Sequence, residues 1–227
     1  MIKKFRKFKV IFFDFDGVIK DSVDIKGQIF SSLFDNISKN NMSKISKHHK
    51  SNGGMSRYKK IPLYMEWCGI NNTETNLNFY LKKFSDLSLK KVAESNWVKC
   101  APEFIEKISK YSKLILVSAT PTEEIVQILK NIKIYGFFDE VHGSPNEKSF
   151  IIENVIKNNN ILPSEALLVG DTIIDYDAAV KNNISFFLRE TNLNKKKFEN
   201  VDIFKFQNFC EQVKINGQKE KNSRNSF

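Results

Sequence analysis

Cysteine is scarce in this chain. There are three in 227 residues, Cys68, Cys100 and Cys210, and no two share a paired spacing. That excludes a Cys-based zinc site and predicts free thiols in a reducing cytosol rather than a disulfide framework. His48-His49 falls in a polar Lys/Ser/Asn stretch, which predicts a solvated loop and not a metal site. No apolar run approaches the length of a membrane span. Residues 1–9 are basic and an apolar run follows, as at a signal peptide. The run is short, Asp14 and Asp16 end it, and no small-residue cleavage site follows. The expectation is a cytoplasmic protein without a membrane partner. Internal repeats are absent.

Acidic residues are outnumbered. The formal net charge is +10, a balance that attracts anions. No nucleic-acid motif or aromatic-basic platform accompanies it, so anionic small molecules are favoured over nucleic acid as partners. The apolar fraction is 41%, with 20 phenylalanines. That suffices for one core domain plus a small insert.

The most informative stretch is Val10-Ile11-Phe12-Phe13-Asp14-Phe15-Asp16-Gly17-Val18. Four apolar residues in a row read as a strand buried on both faces of a parallel sheet. It ends in two aspartates one residue apart, where open α/β sheets bind ligands. Such close carboxylates repel and need a cation or a shared proton. Helical periodicity follows over 21–40, 57–68 and 73–95, with a polar, flexible segment expected over 40–54. A crossover between parallel strands needs far fewer residues. The excess, 20–97, reads as an inserted helical domain over the strand ends.

Three further strand ends matter. The apolar run 114–117 stops at Ser118-Ala119, ahead of a helix start in which Thr120 would cap and Pro121 would take the first helical position. Ser118 and Ala119 would then lie at an anion site. Lys148 stands at the start of a helix over 147–158, where the macrodipole disfavours a cation unless an anion is near. The run 166–169 enters Gly170-Asp171-Thr172-Ile173-Ile174-Asp175, and two acids four apart face one way on a helix.

In this order and setting, Asp14-x-Asp16-Gly17, Ser118, Lys148 and Gly170-Asp171-x-x-x-Asp175 resemble the four motifs of the haloacid dehalogenase superfamily. The resemblance covers about residues 8–210. It implies an α/β fold: a Rossmann-like parallel sheet with helices on both faces, 1–19 and 98–213, plus a helical cap, 20–97. The polar composition of 214–227 separately predicts a disordered tail. It implies Mg²⁺ held by Asp14, the Asp16 carbonyl and Asp171, with Asp175 binding through water or orienting a ligand. Asp14 would be the nucleophile and Asp16 the acid and base, neighbouring like charges raising the Asp16 pKa. Ser118, Ala119 and Lys148 would bind phosphate.

Within the superfamily, an acid at Asp16 favours phosphate esters over C–P or C–halogen chemistry. The expected activity is hydrolysis of a small phosphomonoester, with a sugar phosphate as one class. A phosphomutase of the beta-phosphoglucomutase type and a non-catalytic binding module are the rival readings. In the cap, Gly53-Gly54-Met55-Ser56-Arg57 is the candidate specificity loop. Gly54 would let it bend and Arg57 would take a second anionic or hydroxyl-rich group; a plain interhelical linker is the equal alternative.

Overall fold

A computed structural model describes residues 2–34 and 37–213. The polar tail expected to be disordered, 214–227, lies outside the described residues. Six strands form one sheet: β1 (Val10–Phe13), β2 (Lys113–Pro121), β3 (Glu140–Ser144), β4 (Ala166–Gly170), β5 (Ser185–Arg189) and β6 (Phe204–Phe206). Their order is β3-β2-β1-β4-β5-β6 and every pairing is parallel. Alternation explains the unbroken apolar strands. Ile11, Phe13, Leu114, Leu116, Leu167 and Val169 face one core cluster. Val10, Phe12, Ile115, Val117, Ala166 and Leu168 face the other. The chain leaves β1 for β2 on one side and returns to β4 on the other, so the crevice beyond β1 is the sheet's switch point.

Four helices separate β1 from β2: α1 (Val23–Ser31), α2 (Lys39–Ser51), α3 (Arg57–Trp67) and α4 (Glu74–Glu94). They share an apolar cluster of their own, built on Ile29, Phe30, Leu33, Ile45, Ile61, Tyr64 and Phe84. The sheet is flanked by α5 (Ala101–Ile108), α6 (Thr122–Asn131), α7 (Lys148–Asn158), α8 (Ile173–Lys181) and α9 (Cys210–Val213). No helix among the described residues is long and apolar enough to cross a membrane.

The structure corrects several expectations. The segment 40–54 is mostly the helix α2, not a flexible stretch. Ser38 caps it by accepting from the Asn41 amide at 3.1 Å, and Ile45 and His49, four apart, form its buried stripe. His49 is therefore a packed residue rather than part of a solvated loop. Its ring lies 5.1 Å from that of Phe30. Strand β2 runs on through Pro121, and α6 starts at Thr122 with Pro121 as its N-cap residue.

The cysteine expectation is also corrected. Cys100 and Cys210 form a disulfide, with Cα atoms 5.0 Å apart, and Cys68 is free. The bond joins the start of α5 to α9. Sequence spacing could not reveal it, because 110 residues separate the partners.

Candidate active site

Asp14 follows β1 directly, and its amide donates to Val169 O of β4 at 2.9 Å. Its Oδ1 accepts from the Phe15 amide at 2.7 Å and from Lys148 Nζ at 2.8 Å. Lys148, the first residue of α7, also donates to Asp175 Oδ1 at 2.5 Å. The lysine that the helix dipole disfavours thus has two buried carboxylates against it. Burial alone would lower its pKa; the charges of Asp14 and Asp175 outweigh that and raise it.

The fourth motif folds as a reciprocal cap. Thr172 Oγ1 accepts from the Asp175 amide at 3.3 Å, while Asp175 Oδ2 accepts from the Thr172 amide at 3.0 Å. Asp175 is consequently fixed by Thr172 on one oxygen and by Lys148 on the other. Asp171 precedes this helix. Asn194 Nδ2 holds its carbonyl at 2.8 Å, yet its buried Oδ1 has no hydrogen-bond partner among the described residues. One ligand oxygen from each of Asp14, Asp171 and Asp175 lies within 4.8 Å of the others. Gly17, at φ +80°, makes the approach possible, since a Cβ there would collide with the Asp171 carboxylate.

Burial raises Asp14 to about 7, with Lys148 opposing and Asp175 and Asp16 adding to the rise. Burial and the Asp14 charge raise Asp171 well above the ordinary carboxylate range. Asp16 behaves in the opposite sense to the expectation. Burial pushes it up, but Lys26 lies 2.5 Å from Oδ2 and Ser22 Oγ 2.5 Å from Oδ1, and the net shift is downward. Lys26 also donates to Thr120 Oγ1 at 2.8 Å, which ties α1 to the end of β2.

Ser118 is buried beyond the apolar part of β2, its Oγ accepting from the Thr120 amide at 3.1 Å. It shares a cavity with Ala119 and Lys148. A second cavity, of about 260 Å³, lies between the helical insertion and the strand ends. Asp14, Asp16, Ala119 and Asp171 line its floor, and Gly54, Arg57 and Lys60 line its roof. The candidate specificity loop is seated on the fourth motif. A Cβ at Gly53 would come 2.8 Å from Thr172 Cγ2, and one at Gly54 (φ +78°) 2.9 Å from Thr172 Oγ1.

Arg57 lines the cavity, but Glu124 of α6 takes its guanidinium in two 2.6 Å bonds. Ser85 adds a third contact to that carboxylate. Sequence reasoning missed Glu124, Lys26, His49 and Lys60. A signal existed for two of them: Ser22 and Lys26 are polar at four-residue spacing on an apolar helix, and Lys60 follows Arg57 by one turn.

A parallel switch-point sheet with acids beyond two adjacent strands, β1 and β4, and one buried lysine between them is the arrangement of a hydrolase of the dehalogenase type. The chain belongs to the haloacid dehalogenase-like hydrolase family, whose model matches residues 11–188. It is 22% identical over 183 residues to a "Phosphorylated carbohydrates phosphatase" of Thermotoga maritima, covering 75% of this chain and 80% of the relative. Among solved structures it is similar to one from Haemophilus somnus described as a predicted phosphoglycolate phosphatase (TM-score 0.72, 19% identity, 93% and 99% of the two chains). A predicted phosphatase from Clostridium acetobutylicum gives a TM-score of 0.70 at 20% identity, covering 91% and 97%.

Proposed function

We propose that this chain is a Mg²⁺-dependent phosphatase that hydrolyses a small-molecule phosphomonoester through an aspartyl-phosphate on Asp14. One observation carries the reading. Three buried carboxylates converge within 4.8 Å with Lys148 bridging two of them, and two of the three, Asp14 and Asp171, line a cavity of about 260 Å³. The name of the Thermotoga maritima relative supports a phosphorylated carbohydrate as the substrate class.

The donor set suits Mg²⁺. All ligands would be hard oxygens, Asp171 Oδ1 lacks a partner, and two of the acids are raised toward neutrality by burial. Asp14, Asp171 and the Asp16 carbonyl would hold the ion, and Asp175 would orient the set from its cap with Thr172. Bound there, it would supply the charge that keeps Asp14 and Asp171 ionised and neutralises phosphoryl oxygens.

The remaining steps belong to the chain's own groups. Lys148 and Ser118 bind the other phosphoryl oxygens. An Asp14 oxygen attacks phosphorus, and the bond to the ester oxygen breaks. The departing alkoxide takes a proton from the Asp16–Lys26 pair, in which Lys26 holds it in this arrangement. Asp16 then accepts a proton from the water that attacks the aspartyl-phosphate, releasing phosphate and restoring Asp14. The division into a core (1–19, 98–213) and a cap (20–97) follows the same reading, with the cap excluding water.

The test is phosphate release from a panel of phosphomonoesters, with and without Mg²⁺, by wild type and Asp14→Asn. Turnover requiring both supports the reading. A folded wild type that releases phosphate from no ester overturns it.

A further inference from the structure

The insertion side of the cavity carries three buried cations, and they differ in what faces them. Lys26 is held by Asp16 at 2.5 Å. Arg57 is held by Glu124 at 2.6 Å. Lys60, only 2% exposed, has no carboxylate partner among the described residues. Its Nζ meets His49 Nδ1 at 3.1 Å and lies 5.6 Å from the Phe30 ring centroid.

The protons on this pair can be assigned. His49 Nε2 lies 2.9 Å from Val23 O. A carbonyl only accepts, so Nε2 carries the proton and Nδ1 offers a lone pair. Lys60 therefore donates one N–H to His49, and as an ammonium it keeps two more. Neutral His49 supplies no counter-charge. Its own protonation is opposed by burial first and then by Lys60, which together take it down to about 3. Burial, followed by the Lys26 charge, takes Lys60 down to about 7. An unmatched ammonium in this position costs free energy that an anion entering the cavity would recover.

We infer that Lys60, oriented by His49, forms a second oxyanion subsite, and that the substrate is a small phosphomonoester bearing a further carboxylate or phosphate. The phosphoryl group sits over Asp14 and Asp171 on the floor of the cavity, and the second oxyanion takes the two remaining N–H groups of Lys60 on its roof. Val23, Phe30 and Phe84 line the apolar wall beside it. The inference rests on the phosphatase reading for the position of the first phosphate, but not for the subsite itself. Lys60 is a binding residue here; Arg57 and Glu124 brace the roof.

The test is calorimetry on Asp14→Asn, which removes the proposed nucleophile and leaves Lys60 and His49 untouched, with three probes in excess Mg²⁺. They are 2-phosphoglycolate, a bisphosphate of a three-carbon diol, and glycerol 3-phosphate as the ester without a second anion. Asp14→Asn is expected to bind 2-phosphoglycolate, the bisphosphate or both about tenfold or more tighter than glycerol 3-phosphate, the scale of a charge-assisted hydrogen bond. Adding Lys60→Met should erase that ratio, and Lys60→Arg should retain part of it. The better acidic probe identifies the second group as carboxylate or phosphate. Equal affinity for all three probes in Asp14→Asn overturns the inference without any Lys60 variant. So does a preference that survives Lys60→Met. If wild type hydrolyses no ester, the phosphatase reading fails separately, and the binding ratio still decides the subsite.

Discussion

The two sides of the cleft carry opposite charge by different means. The strand ends present acids, Asp14, Asp16, Asp171 and Asp175, around one lysine. The helical insertion presents bases, Lys26, Arg57 and Lys60, with acids borrowed from the other side for two of them. The acids are fixed by backbone: each stands at a strand end or a helix cap, so topology alone brings them together. The bases reach the cleft from helix faces, and their placement depends on how four helices pack. On the reading proposed above, the first side would hold a cation and a phosphoryl group, and the second would read what the phosphoryl group is attached to.

The sharpest way to break this comparison is to disable one side and watch the other. Asp14→Asn keeps size but removes the proposed nucleophile and one proposed Mg²⁺ ligand, and it should lower kcat by roughly 10⁴-fold or more. Binding of ester should persist in part, because Lys148 and the bases of the insertion are untouched. Phosphate release in single turnovers, alongside calorimetry, separates the two effects. Loss of binding together with turnover would show that the two sides do not divide the work.

Next in size is the buried ion pair that joins them. Glu124→Ala strands Arg57 without its carboxylate in a site where both groups are buried. Leaving a buried charge unpaired costs about 3–5 kcal/mol, measurable as a fall in the urea midpoint. Arg57→Met with Glu124→Leu should recover most of that loss, since well-packed apolar replacements of buried pairs are often neutral. If Glu124→Ala is as stable as wild type, Arg57 is free to leave Glu124. Its expected role as the receptor for a second group then returns to the fore.

This asymmetry also explains what the sequence disclosed. The strands, the sheet and the acid set were legible, because continuous apolar runs mark doubly buried strands and the acids follow them at short range. Lys148 was legible only beside the other motifs: a cation at a helix start is locally unfavourable, but among so many lysines that alone would not have singled it out. The insertion was legible only as helices. Its stripe at Ile45 and His49 hid in a polar sequence, since two apolar-facing positions suffice to dock a helix that Ser38 starts well. Lys60 could not be read as a cleft residue, for only tertiary packing decides that its face meets Phe30 and His49. The rise expected for Asp16 reversed because the countercharge, Lys26, comes from α1, ten residues along the chain.

Cation loading should act on the acid side alone. Without Mg²⁺, Asp14 has a folded pKa of about 7 against an ordinary 3.8. A raised carboxylate stabilises the fold most below its unfolded value and loses that contribution as pH climbs through the folded one. In EDTA the melting temperature should therefore drop from pH 5.5 to pH 8, with Asp171 adding in the same direction. Mg²⁺ at a hundredfold excess over its Kd is worth about 2.7 kcal/mol. For a chain of this length that is about 5–10 °C, expected at pH 8 and shrinking toward pH 5.5. An equal Mg²⁺ shift at both pH values would show that these two carboxylates are not its ligands.

The smallest effect tests where the two sides touch. Thr172 caps α8 and also faces Gly53 and Gly54 of the insertion. Thr172→Ala removes the hydroxyl that accepts from the Asp175 amide and should cost about 1 kcal/mol of stability, read from urea unfolding. It also frees Asp175 Oδ2 from its 2.6 Å hydroxyl donor, leaving Lys148 and the Thr172 amide to hold that carboxylate. Mg²⁺ affinity should fall by less than tenfold, because the amide bond remains. Gly54→Ala presses on the same contact from above: at φ +78° with Thr172 Oγ1 2.9 Å from the new Cβ, it should raise KM more than it lowers kcat. If Thr172→Ala relieves that rise, the loop and the fourth motif close on each other through this one contact. If the two changes simply add, the loop is a linker and the insertion reads the substrate from its helices alone.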